Sequence, residues 1–162
     1  MREQEKKVLQ TAQKSRKDNK KFLLNLKKQN KQKLDQAFHQ AHEEAFAEID
    51  CLTCANCCKT TSPIFRDVDI NRIAKHLKMK VADFIEAYLY LDKDEDYVLK
   101  SAPCAFLGAD NYCSIYEVRP KACAEYPHTD RKNMYQLLEL THKNSLVCPA
   151  VAQLVEQMKS TK

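Results

Sequence analysis

Four cysteines fall within eight residues, Cys51-Leu-Thr-Cys54-Ala-Asn-Cys57-Cys58, and no other stretch of the chain restricts its fold as strongly. A two-residue gap lets successive thiolates converge on one metal within a single turn of chain, as in zinc knuckles and iron–sulfur loops. If the run is helical, Cys51, Cys54 and Cys58 share one face, and Cys57 lies beside it, placed to serve a second centre. Four further cysteines, Cys104, Cys113, Cys123 and Cys148, are too far apart in sequence to meet except through the fold. Eight thiols in two fours suit two four-thiolate zinc sites, one 4Fe-4S cluster with thiols to spare, or a shared polynuclear site. Spacing alone does not choose among them.

The compartment decides between metal and disulfide. The opening MREQEKKVLQ has no apolar stretch of the kind a secretory signal needs. No window approaches the roughly 18 apolar residues of a membrane span. The expected location is therefore cytoplasmic, where thiols stay reduced unless a metal or a redox cycle holds them. Eight cysteines among 162 residues is also well under the roughly 8–10% of secreted disulfide scaffolds. A single glycine excludes glycine-rich phosphate loops and dinucleotide fingerprints, which need several positions where only glycine lets the backbone approach a phosphate.

Charge is unevenly spread. Residues 1–33 carry twelve Lys/Arg against three Asp/Glu, a balance of +9 within an overall +5. From Val8 to Ile49 there is no Pro or Gly, and Leu34, Phe38, Ala41, Ala45 and Phe46 recur at helical spacing, which predicts one long helix. Its first part, Val8 to Lys20, has few apolar residues and is expected to fray into solvent, with packing beginning near Phe22. Two domains follow: a lysine-rich helical arm over 1–48 and a cysteine-cluster domain over 49–162. Nucleic acid is a conceivable partner only through the arm, whose basic run has no interleaved aromatic residues to stack bases. A solvated lysine-rich face is the plainer reading.

Beyond the cysteine run, Asp67 or Asp69 is placed to cap a helix carrying Ile70, Ile73 and Leu77, and a second helix follows with Val81, Phe84, Ile85 and Tyr88. The acidic DKDED at 92–96 forms a charged turn. A small hairpin is expected at 97–116, its tight turn at GADN and its ends marked by Cys104 and Cys113. Pro120 and Pro149 each open a further helix, with another over Met134–Thr141. The fold class is mainly α, with a small α+β arrangement as the variant: a long N-terminal helix, then a compact helical domain organised by metal, with one minor β-hairpin.

CLTCANCC at 51–58 and PCAFLGADNYCSIYEVRPKACAEYP at 103–127 together give CxxCxxCC followed by a segment ending in IYxxRPxxC. In these motifs the chain resembles the YkgJ-type cysteine-cluster family of zinc- or iron-chelating domains, over about Ile49 to Met158. The resemblance implies ligand roles for Cys51, Cys54, Cys57, Cys58, Cys104, Cys113 and Cys123, with Cys148 as an eighth. Ala55 departs from the pattern, since related sequences often have glycine there. Flagellin lysine N-methylases contain a related cluster, and this implies an alternative, an iron–sulfur enzyme acting with S-adenosylmethionine on protein lysines. The short chain and its lone glycine leave no obvious methyl-donor loop for it.

Outside the thiols, His128 is weighed as a ligand or hydrogen-bond donor against a plain turn residue, and Arg119 as a donor to cluster sulfurs against an ion pair with Glu117 or Asp110. Tyr112, Tyr116 and Tyr126 read as an apolar shell. His39 and His42 read as solvent-facing, and His76 and His142 as helix-end residues. The resulting expectation is a metal-chelating protein holding zinc or iron, with its partner or substrate unknown. A thiol–disulfide redox protein is the third alternative.

Overall fold

The computed structural model describes residues 1–161. In chain order the helices are α1 (Glu3–Lys14), α2 (Arg16–Leu26), α3 (Lys31–Glu48), α4 (Cys51–Cys54), α5 (Asn56–Thr60), α6 (Asp67–His76), α7 (Val81–Tyr88), α8 (Lys121–Glu125), α9 (Leu138–Ser145) and α10 (Pro149–Ser160). The strands β1 (Leu89–Leu91) and β2 (Tyr97–Leu99) make one two-stranded antiparallel sheet. The fold is thus mainly α with a minor hairpin. Contacts divide it into two compact units, Met1–Cys54 with Pro127–Lys162, and Ala55–Tyr126. Among the described residues no helix is long and apolar enough to cross a membrane.

In the first unit the expected single helix over Val8–Ile49 is three. Ser15 leaves helical geometry at φ −88, ψ 14, which separates α1 from α2. Asn30 ends the connection after α2 by N-capping α3, its side chain accepting from the backbone N–H groups of Gln32 and Lys33. A short amide that satisfies two orphan donors favours a fresh helix start over continuation. The expected fraying is also overturned. Leu9 and Ala12 of α1 are buried against Ala152 of α10, and Leu23 and Leu26 of α2 are buried too. The arm's sparse apolar residues suffice because they fall on the faces turned to α9 and α10. Buried His142 of α9 contacts the Arg16 carbonyl at 3.0 Å, so it serves a different helix from its own.

Helix α10 packs along α3, and Gln153 donates to the Glu48 carboxylate at 2.6 Å. This pins the C-terminal end of α3 beside the first turns of α10. Pro149 at the start of α10 is pre-set for the first turn, as its fixed φ predicts.

In the second unit, α6 and α7 pack an apolar cluster of Phe65, Ile70, Ile73, Phe84, Leu89, Leu99, Phe106 and Ile115. The regular hairpin is not at 97–116. It pairs Leu89 with Leu99 and Leu91 with Tyr97, and the acidic 92–96 run supplies its turn. Asp92 Oδ1 accepts from the N–H groups of Asp94 and Asp96, so a side chain organises the reversal. Leu89-Tyr90-Leu91 leaves the helical pattern because Leu89 is already extended at φ −118, ψ 157. The GADN turn does form, closed by Gly108 N–H to the Tyr112 carbonyl at 2.8 Å, but only one isolated bridge, Leu107 to Cys113, flanks it.

Candidate metal centre

Ala55 divides the cysteine run. It sits in the left-handed region at φ 48, ψ 20, ending α4 and starting α5. The expected common face of Cys51, Cys54 and Cys58 therefore does not exist. Cys51 and Cys54 belong to the first unit together with Cys148, while Cys57 and Cys58 belong to the second with Cys104, Cys113 and Cys123.

Backbone contacts assemble the second set. Cys104 N–H donates to the Cys58 carbonyl at 2.8 Å, joining the end of the cysteine run to the 103–107 turn. The Leu107–Cys113 bridge and the bond from Ser114 N–H to the Phe106 carbonyl, 2.8 Å, hold Cys113 across from that turn. Cys123 lies on α8, whose entry is held from outside: Lys121 N–H donates to Asp69 Oδ1, and Arg72 donates to the carbonyls of Val118 and Arg119. The buried Asp69 carboxylate also takes Arg72 Nη2 at 2.7 Å. Sequence reading missed this clamp, although Asp69 and Arg72 stand at a helical i, i+3 spacing suited to an ion pair.

The electrostatics agree with this grouping. Burial pushes the Cys123 thiol up to about 12, and the like charges of Cys58, Cys104 and Cys113 push the same way. Cys104 and Cys113 are raised by burial and by neighbouring thiols, and Cys58 is raised first by its contact with Cys57, then by burial. The Cys57 and Cys58 sulfurs are 4.0 Å apart, about twice a disulfide bond length. Arg119 acts in the opposite sense on Cys113 and Cys123. Its guanidinium lies 3.8 Å from the centre of the Tyr116 ring and donates to the Tyr116 carbonyl at 2.6 Å. Tyr116 in turn packs on Tyr112, with 5.7 Å between ring centres, while Tyr112 stays half exposed.

The first set is built on the paired ends of α3 and α10. Two residues after α3, Asp50 starts α4 by accepting from Leu52 N–H, and α4 carries Cys51 and Cys54 one turn apart. Cys148 immediately precedes Pro149, its N–H donating to the Asn144 carbonyl at 2.7 Å. Burial pushes Cys148 up to about 12; the amides of Val151 and Ala150 oppose this, and the thiols of Cys51 and Cys54 add to it. His128 belongs to this unit, in left-handed backbone at φ 63, behind Pro127, whose carbonyl accepts from Asn144 Nδ2.

His39 is exposed, as expected, whereas His42 is half-buried. His39 Nδ1 lies 2.6 Å from an Asp130 oxygen, and His42 contacts Thr129 Oγ1 at 2.9 Å and stacks on Phe46.

Thiolates are preferred ligands of zinc and of iron–sulfur clusters, so the cysteines fit zinc or iron by their chemistry. Among the described residues, no three Cys, His, Asp or Glu side chains already stand close enough to ligate one ion. No curated protein and no solved structure matches the chain. Residues 50–149, more than half of the sequence and including all eight cysteines, match the family CxxCxxCC, described as "Putative zinc- or iron-chelating domain". This protein is accordingly a member of the CxxCxxCC family.

Proposed function

We propose that this protein binds zinc or iron through cysteine thiolates, with Cys58, Cys104, Cys113 and Cys123 as the principal centre. The observation that supports this reading is the backbone bonding around cysteines from separate segments of one unit: Cys104 N–H to the Cys58 carbonyl, the Leu107–Cys113 bridge, and the bond from Lys121 N–H to Asp69 at the entry to the helix of Cys123. When bound, the metal supplies a cation that stabilises four thiolates and cross-links segments with little regular structure of their own. Arg119 offsets the negative charge of such a thiolate set, and its stacking on Tyr116 holds it in place. Cys57 stands beside the centre and is not required to close it.

The test is elemental analysis of iron, zinc and acid-labile sulfide, with a visible spectrum, on anaerobically purified protein. Metal lost in Cys113→Ser and Cys123→Ser is the expected result. Brown protein with matched iron and sulfide would identify an iron–sulfur cluster, and colourless protein holding zinc a zinc site. Protein that takes up neither metal, as isolated or after reconstitution, would refute the assignment.

A further inference from the structure

We propose that the outward face of α2 docks the phosphate backbone of double-stranded nucleic acid without reading its sequence. The face lies wholly in the first unit and includes no cysteine, so this inference goes beyond chelation and stands or falls separately from it.

Arg16, Lys17, Lys20, Lys21, Lys27 and Lys28 fall close together in the chain, with Asp18 as the one acid among them. Left unpacked, such a run would fray and its charges would move independently. Packing fixes them. Asn19, Leu23 and Leu26 are buried on the inner face of α2, which lies against α9, and Lys159 of α10 donates to Asn19 Oδ1 at 2.9 Å. The helix is thereby held in one rotation, with Arg16, Lys17, Lys20 and Lys21 all exposed. Arg16 with Lys20, and Lys17 with Lys21, are one turn apart at i, i+4, so the four make two adjacent rows. Lys27 and Lys28, also exposed, follow in the turn that ends the helix.

Like charges at this spacing repel and weaken the helix that carries them. Other lysines of the unit are paired, Lys6 with Glu3 and Lys159 with Glu156. Among the described residues, no carboxylate lies within ion-pair distance of any of the six. The fold thus holds a repulsive array rigidly in place, and an array fixed in advance loses little freedom when a polyanion neutralises it.

The make-up of the face selects the polyanion. A basic helix that lies on lipid needs an apolar face free to enter the headgroup region, and the apolar face of α2 is buried within the unit. A protein partner needs large apolar or aromatic anchors, and the outward face offers only Leu24, at 38% exposure. Single-stranded nucleic acid is held by stacking on aromatic rings. The one aromatic residue of α2, Phe22, is half-buried, and the Tyr135 ring of the same unit already lies under the Lys31 ammonium at 4.2 Å. Rows of point charges without stacking platforms suit the regular phosphates of a duplex, whose condensed counterions they release.

The test is fluorescence anisotropy of the full-length protein with a labelled DNA duplex of mixed sequence, about two helical turns long, across a series of salt concentrations. Six phosphate contacts predict that log affinity falls with log salt at a slope of about −5. The triple variant Lys17→Gln, Lys20→Gln, Lys21→Gln should bind about tenfold more weakly or worse, with a slope of about −3. Lys17→Arg, Lys20→Arg, Lys21→Arg should keep the wild-type affinity and slope, which separates loss of charge from loss of folding. Lys75→Gln, Lys80→Gln, Lys93→Gln removes the same charge from exposed positions of the second unit and should bind as wild type does. Equal losses in the two glutamine triples would mean that overall charge acts, and would overturn the assignment to α2. Absence of duplex binding at low salt, or a slope unaltered by the α2 triple, would overturn it as well. Binding to phosphatidylserine vesicles that the α2 triple abolishes, with none to the duplex, would give the face to a membrane surface instead.

Discussion

Ala55 bears strain that decides how the cysteines are shared. A left-handed alanine costs roughly 1 kcal/mol or more against a residue without a Cβ, and Ala55 is buried in that conformation at φ 48. Ala55→Gly should therefore raise unfolding stability by about 1 kcal/mol in denaturant titrations; a loss of stability would show that the alanine methyl's packing outweighs the backbone relief. The spacing of the run was legible, but not its division, because a common helical face for Cys51, Cys54 and Cys58 presumes that Ala55 continues the helix. His39 and His42, one helical turn apart, give a second residue-scale prediction. The bond to Asp130 raises His39 above 6.5, so its contribution is full below 6.5 and is lost as pH rises through the raised value. Burial lowers His42, so its neutral form is favoured, and its contribution is full above 6.5 and lost as pH falls through the lowered value. Asp130 raises both, and Glu43 raises both as well. A proton NMR titration should therefore show the two imidazoles titrating on opposite sides of 6.5, with Asp130→Asn moving both downward. Two coincident titrations would contradict the assignment.

At the scale of elements, α6 is the device that holds the cysteine-bearing segment after it. Burial alone would raise Asp69, but hydrogen bonds from Arg72, Lys121 N–H and Arg66 N–H more than offset it, and its carboxyl stays below the usual carboxylate range. Its contribution is therefore full above the ordinary aspartate value and is lost as pH falls through the lowered native one. Removing it leaves Lys121 N–H without this acceptor and Arg72 without its ion pair, so Asp69→Ala should cost about 2–4 kcal/mol in urea unfolding at neutral pH. It should also weaken metal retention, since Lys121 lies two residues before Cys123. A change under about 0.5 kcal/mol would show that the clamp is not needed. Elements with strong local periodicity were legible: α6, α7 and the proline-started α10 lie close to where the pattern puts them, although α6 is capped at Arg66, whose N–H donates to Asp69 in the first turn, and not by Asp67 or Asp69. The N-terminal helix was not, because Lys, Gln, Ser and Asn fill helix interior and cap alike, and its two breaks rest on the backbone turn at Ser15 and on one Asn30 side chain. The hairpin was misplaced because Tyr90 and Leu91 fit the tail of a helical pattern as well as they fit a strand.

For the whole molecule, the decisive feature is that the chain leaves the first unit after Cys54 and rejoins it at Pro127. Sequence proximity therefore does not follow the division into units: Cys54 shares a unit with Cys148, far along the chain, and not with Cys58 four residues on. No local periodicity could reveal that, because it depends on α3 finding α10. The units should also differ in their need for metal. The first buries an apolar seam between several helices, including Leu23, Leu26, Leu34, Phe38, Val151 and Leu154. The second has only about 70 residues, and from 100 to 126 its regular structure is limited to a single turn over Tyr116–Val118 and the short α8. A core of that size rarely supplies more than about 3–5 kcal/mol unaided. Hydrogen exchange on the full chain, with and without a chelator, should then separate them. Removing metal should speed exchange about tenfold or more at the amides of Cys104, Ser114 and Cys123, while α2, α3 and α10 keep their protection. Equal acceleration throughout would mean that the two units unfold as one, and no acceleration would mean that the apolar cluster around Phe84 and Phe106 orders the cysteine segments without help from metal.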